Sequence, residues 1–430
     1  MKKSSQLPLL LLFLFFFISS SPFKVEEEED VSRVGKGIVV KKCQRKSLVS
    51  TEFGEISAVD IKDKNRGAYH LRFITLEPNS LFLPVLLHAD MVFYVQTGSG
   101  RLSWVDEDEM RRVRLRRGDV YRLRPGTIFF VESSLQPQRE KLRIHAIFAY
   151  SGLSYHIINN MVMQEKSIGA YSSINDLLLG FDPVILRSAF QVTEGVVESV
   201  MRREKPPAIV HGAPKTTRNF WEWEAHFMKL FIKRAGHSMY YLENKLKKSR
   251  AFNVQDAHKD VENSNGWSLT VTWKNLQALR GSDIGFFMVN LTKGAMMGPH
   301  WNSMATEISV VLEGRGMVQV VCPSSANKSE CQDQKLRVEE GDVFAVPRLH
   351  PMAQMSFNND SFAFLGFSTT WKMNYPQFLA GKASVFQALD KNVLAAAFNA
   401  GNSTIDQLLS RQAESVILKC ISCAEELERK

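Results

Sequence analysis

A chain of 430 residues is too long for one ordinary hydrophobic core and predicts two or three domains. Hydrophobic residues at 44% and charged residues at only 23% describe a globular protein with ample material for buried cores. The net charge of +9 does not imply a nucleic-acid partner. In the densest basic run, Arg111, Arg112, Arg114, Arg116 and Arg117 alternate with Val113 and Leu115 as on a half-buried strand, no stacking aromatics interleave, and no nucleic-acid module is recognisable.

In chain order, Met1-Lys2-Lys3 precedes ten unbroken Leu, Phe and Ile residues from Leu9 to Ile18, and Ser19-Ser20-Ser21-Pro22 follows. This is the order of a secretory signal peptide over 1–21, too short to span a bilayer of about 30 Å. A buried N-terminal helix is the alternative, and the lack of a polar face counts against it. No later segment has the apolar length of a membrane span, so no membrane partner is expected. A basic lead-in, 22–50, contains the short acidic run Glu26 to Asp30. Strand-like alternation starts near Glu55 and continues to about Tyr150, punctuated by Gly98, Gly118, Pro125 and Gly126, and helices follow from about Ser173 to Arg203. The stretch 204–265 reads as a linker. Within it Phe220, Trp223, Phe227, Leu230 and Phe231 fall on one stripe of a basic amphipathic helix after an Asn219 cap. Packing on a strand-rich stretch or a neighbouring subunit is favoured for that helix over contact with a membrane. A second strand-rich stretch begins near Trp267 and ends near Trp371, with a second helical region from about Tyr375.

The two halves repeat one another. Pro84 to Met91, followed by Phe93 to Gly100, parallels Pro299 to Glu307, followed by Ser309 to Gly316. Gly118-Asp119-Val120 and the residues to Thr127 parallel Gly341-Asp342-Val343 and the residues to His350. Ile185 to Val192 recurs as Val393 to Ala400, and Val196, Val197 and Val200 or Ile405, Leu408 and Leu409 follow at helical spacing. Each half is therefore a strand-rich stretch plus a helical arm. Val85, Leu87, Met91 and Thr127 stand in the first half where His300, Asn302, Glu307 and His350 stand in the second. The interior of the first strand-rich stretch is expected to be plugged by apolar side chains and to bind no ion.

Gly294, His300, Asn302, Glu307 and Gly314 are spaced close to the first cupin motif, with Asn302 in the place of its second His, and Gly341 to His350 resembles the second motif. The whole plan, from about Cys43 to about Gln412 and most sharply in Asp283 to Asn302, resembles the vicilin-like 7S globulins, the bicupin seed storage proteins of plants. The resemblance implies a mainly β fold of two cupin barrels, each a double-stranded β-helix of jelly-roll type followed by a helical arm. These occupy 51–203 and 266–430. It also implies a non-enzymatic nutrient reservoir, a closed homotrimer joined through the arms, and a final location in the protein storage vacuole or outside the cell. The alternative is a secreted metal-dependent cupin enzyme of the oxalate oxidase or decarboxylase type working through the second barrel. No long Gln- or Glu-rich tract marks the chain as a nitrogen store.

Strand parity points His300 and Asn302 to one face, whereas Glu307 joins them only through a turn or bulge. By the cupin resemblance, His300, His350 and Glu307 are the candidate ligands of one divalent transition metal. Asn302 is a weaker ligand or a hydrogen-bonding group for a small anion. Asn302, and Met352 at the usual place of the fourth His, count against an enzyme. A metal-free polar pocket is the equal alternative.

Secretion makes the five cysteines candidates for disulfides. Cys322 and Cys331 flank a turn-rich loop and are expected to pair. Cys43 with Cys420 or Cys423 is a weaker expectation, and Cys420-Ile421-Ser422-Cys423 alone is spaced like a redox pair or half a zinc site. Among the sequons at Asn290, Asn327, Asn359 and Asn402, the loop positions Asn327 and Asn359 are the expected glycosylation sites.

Overall fold

Neighbouring residues on many strands serve two different cores, which is why the strands read as continuous apolar runs. On Glu307–Val320, Ile308 and Val310 face one cluster while Val311, Val318 and Val320 face another. Val343 and Ala345 are divided in the same way from Phe344 and Val346. The computed structural model describes residues 38–63, 67–106, 109–135, 139–150, 169–201, 205–212, 251–323 and 331–429. The expected signal peptide, the amphipathic helix of 219–234 and Asn327 lie outside these residues.

Among the described residues the first barrel is built from two antiparallel sheets. One orders its strands as Ala251–Asn253, Asp119–Leu123, Asp90–Thr97, Leu142–Ala149, Gly67–Leu76, Gly54–Asp63 and Lys46–Thr51; the other centres on Ser80–Leu87, Ile128–Ser133, Ser99–Asp106 and Glu109–Arg116. In the second barrel the long strand Glu307–Val320 bridges both faces, pairing with Val343–Val346 and Phe362–Ser368 in its first half and with Gln334–Glu339 and Met352–Ser356 in its second. Inside, Gly366 lies against the ring of Phe287, where a Cβ would stand 1.9 Å from the ring. Any larger residue would displace that ring from the core.

The barrels exchange short strands. Ile38–Val40 pairs with Val343–Val346 of the second barrel, and Ala251–Asn253 pairs with Asp119–Leu123 of the first. Each exchange is clasped at the equivalent Gly-Asp turn. Asp342 accepts from Lys41 Nζ at 2.7 Å and Lys42 N at 3.0 Å, and Asp119 Oδ1 accepts from Asn253 Nδ2 at 2.7 Å. The lead-in and the linker thus contribute strands, including Ile209–His211 on Ser80–Leu87. Three-residue strands carry too little periodicity to be read from sequence.

Between the barrels lies a shared apolar cluster containing Leu71, Phe73, Tyr94 and Ile147 from one side and Leu269, Phe286, Ile308 and Phe367 from the other. A buried ion pair, Arg122 with Asp90 at 2.5 Å, sits beside it, and Arg122 Nη1 also donates to the carbonyls of Ala278 and Arg280 in the second half.

The arms follow their barrels as the repeat requires. In the first, Asp182 accepts from Val184 N and Pro183 opens Pro183–Phe190, which ends at Gln191 in the left-handed region, before Glu194–Met201. In the second, Asp390 caps Lys391–Ala397, and Asn402–Ser410 follows. Each of these helices buries one residue, respectively Leu186, Val197, Leu394 and Ile405. Phe181, Val184, Ile185, Val393, Phe398 and Leu408 remain exposed. No helix among the described residues is long and apolar enough to cross a membrane.

Candidate ligand site in the second barrel

Strand Ala295–Asn302 enters the second barrel with Ala295 and Met297 against its core, and an irregularity in register between Met297 and His300 then turns His300 and Asn302 inward. His300 is fully buried and its ring stacks on Phe378 at 5.0 Å. Its Nδ1 lies 2.8 Å from the Gly298 carbonyl. A carbonyl only accepts, so Nδ1 carries the proton and Nε2 presents a lone pair whenever the ring is neutral. Burial pushes the imidazole down to about 4, so the ring is neutral at pH 7. Nε2 is buried and has no hydrogen-bond partner among the described residues.

After the 303–306 turn, Glu307 and Ser309 share the face of Val311 and therefore look into the same barrel. Burial raises the Glu307 carboxyl to about 7, and the Asn302 amide beside it only partly offsets that. Asn302 Nδ2 nonetheless lacks a partner of normal hydrogen-bond geometry, as do Ser309 Oγ and Gln354 Oε1. Gln354 lies on the inward face of Met352–Ser356, its Nε2 against Met352 Sδ at 3.2 Å. Neither Ser309 nor Gln354 stands in a motif. Each stands between apolar neighbours, Ile308 and Val310 or Ala353 and Met355, and is visible in the sequence only as an interruption.

His350 does not join this group. It ends the 347–350 turn, where Leu349 has φ +63°, and strand parity does not carry back through a turn from Met352. Its Nδ1 lies 3.1 Å from Arg348 O and its Nε2 3.5 Å from Cys331 Sγ. Among the described residues, Cys322, Cys331 and His350 are the three metal-ligating side chains that come together, within 4.8 Å, and the two sulfurs are bonded to each other. His300, Asn302 and Glu307 leave one imidazole, one amide and one carboxyl, a single strong nitrogen ligand without the further imidazoles of a cupin metal shell. That donor set does not fit a divalent transition metal.

In the first barrel, Val85, Leu87 and Met91 are buried in the core. At its edge lies a polar cluster that the motif comparison misses, with His70 and Arg72 buried and Asp60 open to solvent. Asp60 accepts from Arg72 Nη1 at 2.9 Å and meets His70 Nδ1 at 2.8 Å. Burial alone would raise the Asp60 carboxyl, but the hydrogen bonds and charges of His70 and Arg72 outweigh it and hold it below the usual range. Elsewhere, Cys322 and Cys331 are joined with Cα atoms 5.8 Å apart, and Asn359 is exposed in the turn before Phe362–Ser368. Cys420 is bonded to Cys423, and Cys43 is an exposed free thiol. The pairing of Cys43 with either is thereby corrected, because a four-residue turn brings Cys420 and Cys423 together locally.

Two barrels of like build, one with an apolar interior at the motif positions and one with His300, Asn302 and Glu307 buried there, define a double cupin. The cupin family model matches residues 42–140 and 252–406. One vicilin-like seed storage protein of Arabidopsis thaliana is 50% identical over 398 residues, covering 90% of this chain and 54% of that protein. A second from the same plant is 46% identical over 458 residues, covering 100% of this chain and 85% of that protein. The chain therefore belongs to the vicilin-like seed storage proteins, and it spans about half the length of the first of these relatives. Among solved structures, the vicilin of Solanum melongena superposes with a TM-score of 0.69 at 19% identity, over 89% of this chain and 97% of that one; its crystal structure revealed different anionic ligands in structurally similar pockets.

Proposed function

We propose that this protein is a non-enzymatic seed storage globulin of the secretory pathway, held in the storage vacuole or outside the cell, whose second barrel binds a small carboxylic acid. The observation that carries the ligand reading is the set of unpartnered atoms at His300 Nε2, Asn302 Nδ2, Ser309 Oγ and Gln354 Oε1, all on buried side chains. Such atoms are rare and costly in a native interior. An acid hydroxyl matches the His300 lone pair, and its carbonyl matches a donor from Asn302 or Ser309. A bare carboxylate would leave Nε2 unsatisfied and meet the Glu307 carboxyl, so the anion enters together with a proton. These residues do not make up a complete metal shell, which oxalate chemistry requires, and this supports storage.

The exposed apolar residues on both arms support self-association, and a closed homotrimer joined arm to arm is the assembly proposed.

Isothermal titration with acetate and benzoate at pH 5 and pH 8, in buffers of different ionisation enthalpy, tests the ligand reading. Expected is net proton uptake and binding at least tenfold tighter at pH 5, lost in Asn302→Leu. Binding of equal strength at both pH values, or binding that survives Asn302→Leu, rules it out.

A further inference from the structure

The turn that carries His350 out of the barrel interior sets its imidazole against a disulfide. We propose that the Cys322–Cys331 bond is a thiol-exchange site that takes up low-molecular-weight thiols on Cys322. The site is separate from the barrel interior and independent of the ligand reading above.

The two sulfurs stand in different surroundings. Cys331 is buried, at 7% exposure, and has the His350 Nε2 3.5 Å from its Sγ. Cys322 is half-buried, two residues beyond Glu307–Val320, with its backbone N–H held by Asp333 Oδ1 at 2.9 Å. Because His350 Nδ1 lies 3.1 Å from the Arg348 carbonyl, that nitrogen bears hydrogen, and the ring is oriented with Nε2 toward the sulfur. A thiolate leaving on Cys331 would meet an imidazole able to hold a proton against it, the pairing that lowers a cysteine's basicity in reactive sites. A less basic leaving sulfur departs faster. The geometry therefore favours attack on Cys322 and departure of Cys331.

In the exchange, an incoming thiolate RS⁻ forms a new sulfur–sulfur bond to Cys322 Sγ. The Cys322–Cys331 bond breaks and its electron pair leaves on Cys331 Sγ. The proton lost by RSH to solvent is matched by one shared between that sulfur and His350 Nε2. The thiol is oxidised to the disulfide level and Cys331 is reduced, so no further oxidant is needed. The bond Cys420–Cys423 offers an internal control, since Cys420 packs among Met317, Met355 and Phe357 rather than against an imidazole.

The test uses the full chain with Cys43→Ser, so that no internal thiol reshuffles. Limiting glutathione is added at pH 7, the reaction is acid-quenched over time, free thiols are alkylated, and the peptides are mapped by mass spectrometry. Expected is glutathione on Cys322 with a free thiol on Cys331. His350→Gln should slow opening of this bond about tenfold while leaving Cys420–Cys423 unchanged. Glutathione on Cys331, an equal division between the two sulfurs, full reduction with no adduct on Cys322 at any time, or an unchanged rate in His350→Gln would each overturn the proposal. The adduct position in the parent protein decides the matter even if the variant misfolds.

Discussion

Tyr94 of the first barrel and Phe286 of the second stack across the boundary between them, with ring centroids 5.7 Å apart and planes inclined by 29°. Both belong to the apolar cluster that the two barrels share, so neither barrel completes its core alone. Phe286→Ala should cost about 3–5 kcal/mol. It should lower one common unfolding transition rather than split it. Scanning calorimetry that resolves two independent transitions in the parent would contradict this coupling.

The Asp90–Arg122 pair also ties the halves together, because Arg122 reaches the Ala278 and Arg280 carbonyls. Side-chain exposure is 6% for Arg122 and 1% for Asp90. Asp90→Ala leaves a buried guanidinium without its carboxylate and should destabilise by about 3–5 kcal/mol, whereas Asp90→Leu combined with Arg122→Met should recover most of the loss. Urea unfolding of the three proteins checks both statements. A double variant no better than the single one would show that the carbonyl contacts matter more than the charge pair.

Titration of the barrel interior has opposing parts. Glu307, raised to about 7, holds a proton in the folded state that the unfolded chain has lost above about pH 4.5, so its contribution to stability falls as pH rises through that window. His300, lowered to about 4, stays neutral while the unfolded chain takes up a proton below about pH 6.5, so its contribution falls as pH drops. The two slopes largely cancel between about pH 4.5 and 6.5. Glu307→Gln should therefore be more stable than the parent at pH 8, by up to about 3 kcal/mol. It should also uncover a steady loss of stability as pH falls below 6.5. Denaturant midpoints across pH 4 to 8 read this directly, and parallel curves for the two proteins would exclude it.

Val184 and Val393 each lie in the first turn of equivalent arm helices and are 56% and 60% exposed. If the arms join copies head to tail, Val184→Asp or Val393→Asp buries a charge in each junction and should convert a species of about three chain masses into monomer. Light scattering at several concentrations measures it. A parent protein that is monomeric at every concentration removes the assembly, and variants that keep the trimer place the junction elsewhere.

Much of this architecture is legible in the amino-acid order. Spacing around Gly294, His300 and Gly314, and its echo around Pro84 and Gly98, announces two barrels; Phe190 and Phe398 announce two arms. The apolar character of Val85, Leu87 and Met91 is enough to predict that they plug the first barrel, since a strand's alternation says which side chains face the core. His300 and Asn302 follow from the same parity. Glu307 does not, and only the 303–306 turn returns it to the inward face.

Parity is a local property, and it failed wherever the chain left a strand. His350 shares parity with Met352 yet belongs to a turn, and its imidazole meets Cys331 instead of His300. Ser309, Gln354 and the Asp60, His70 and Arg72 cluster had no motif to mark them, because a single polar residue in a strand becomes informative only when its neighbours from other strands are known. The exchange of Ile38–Val40 and Ala251–Asn253 between barrels was equally silent. By itself the sequence determined the repeat, the strand faces and the contrast between an apolar and a polar interior, for these depend on residue type at fixed spacing. Tertiary structure alone decided which remote strands pair and which polar atoms are left without partners, because those depend on distances between segments up to hundreds of residues apart, to which local periodicity is blind.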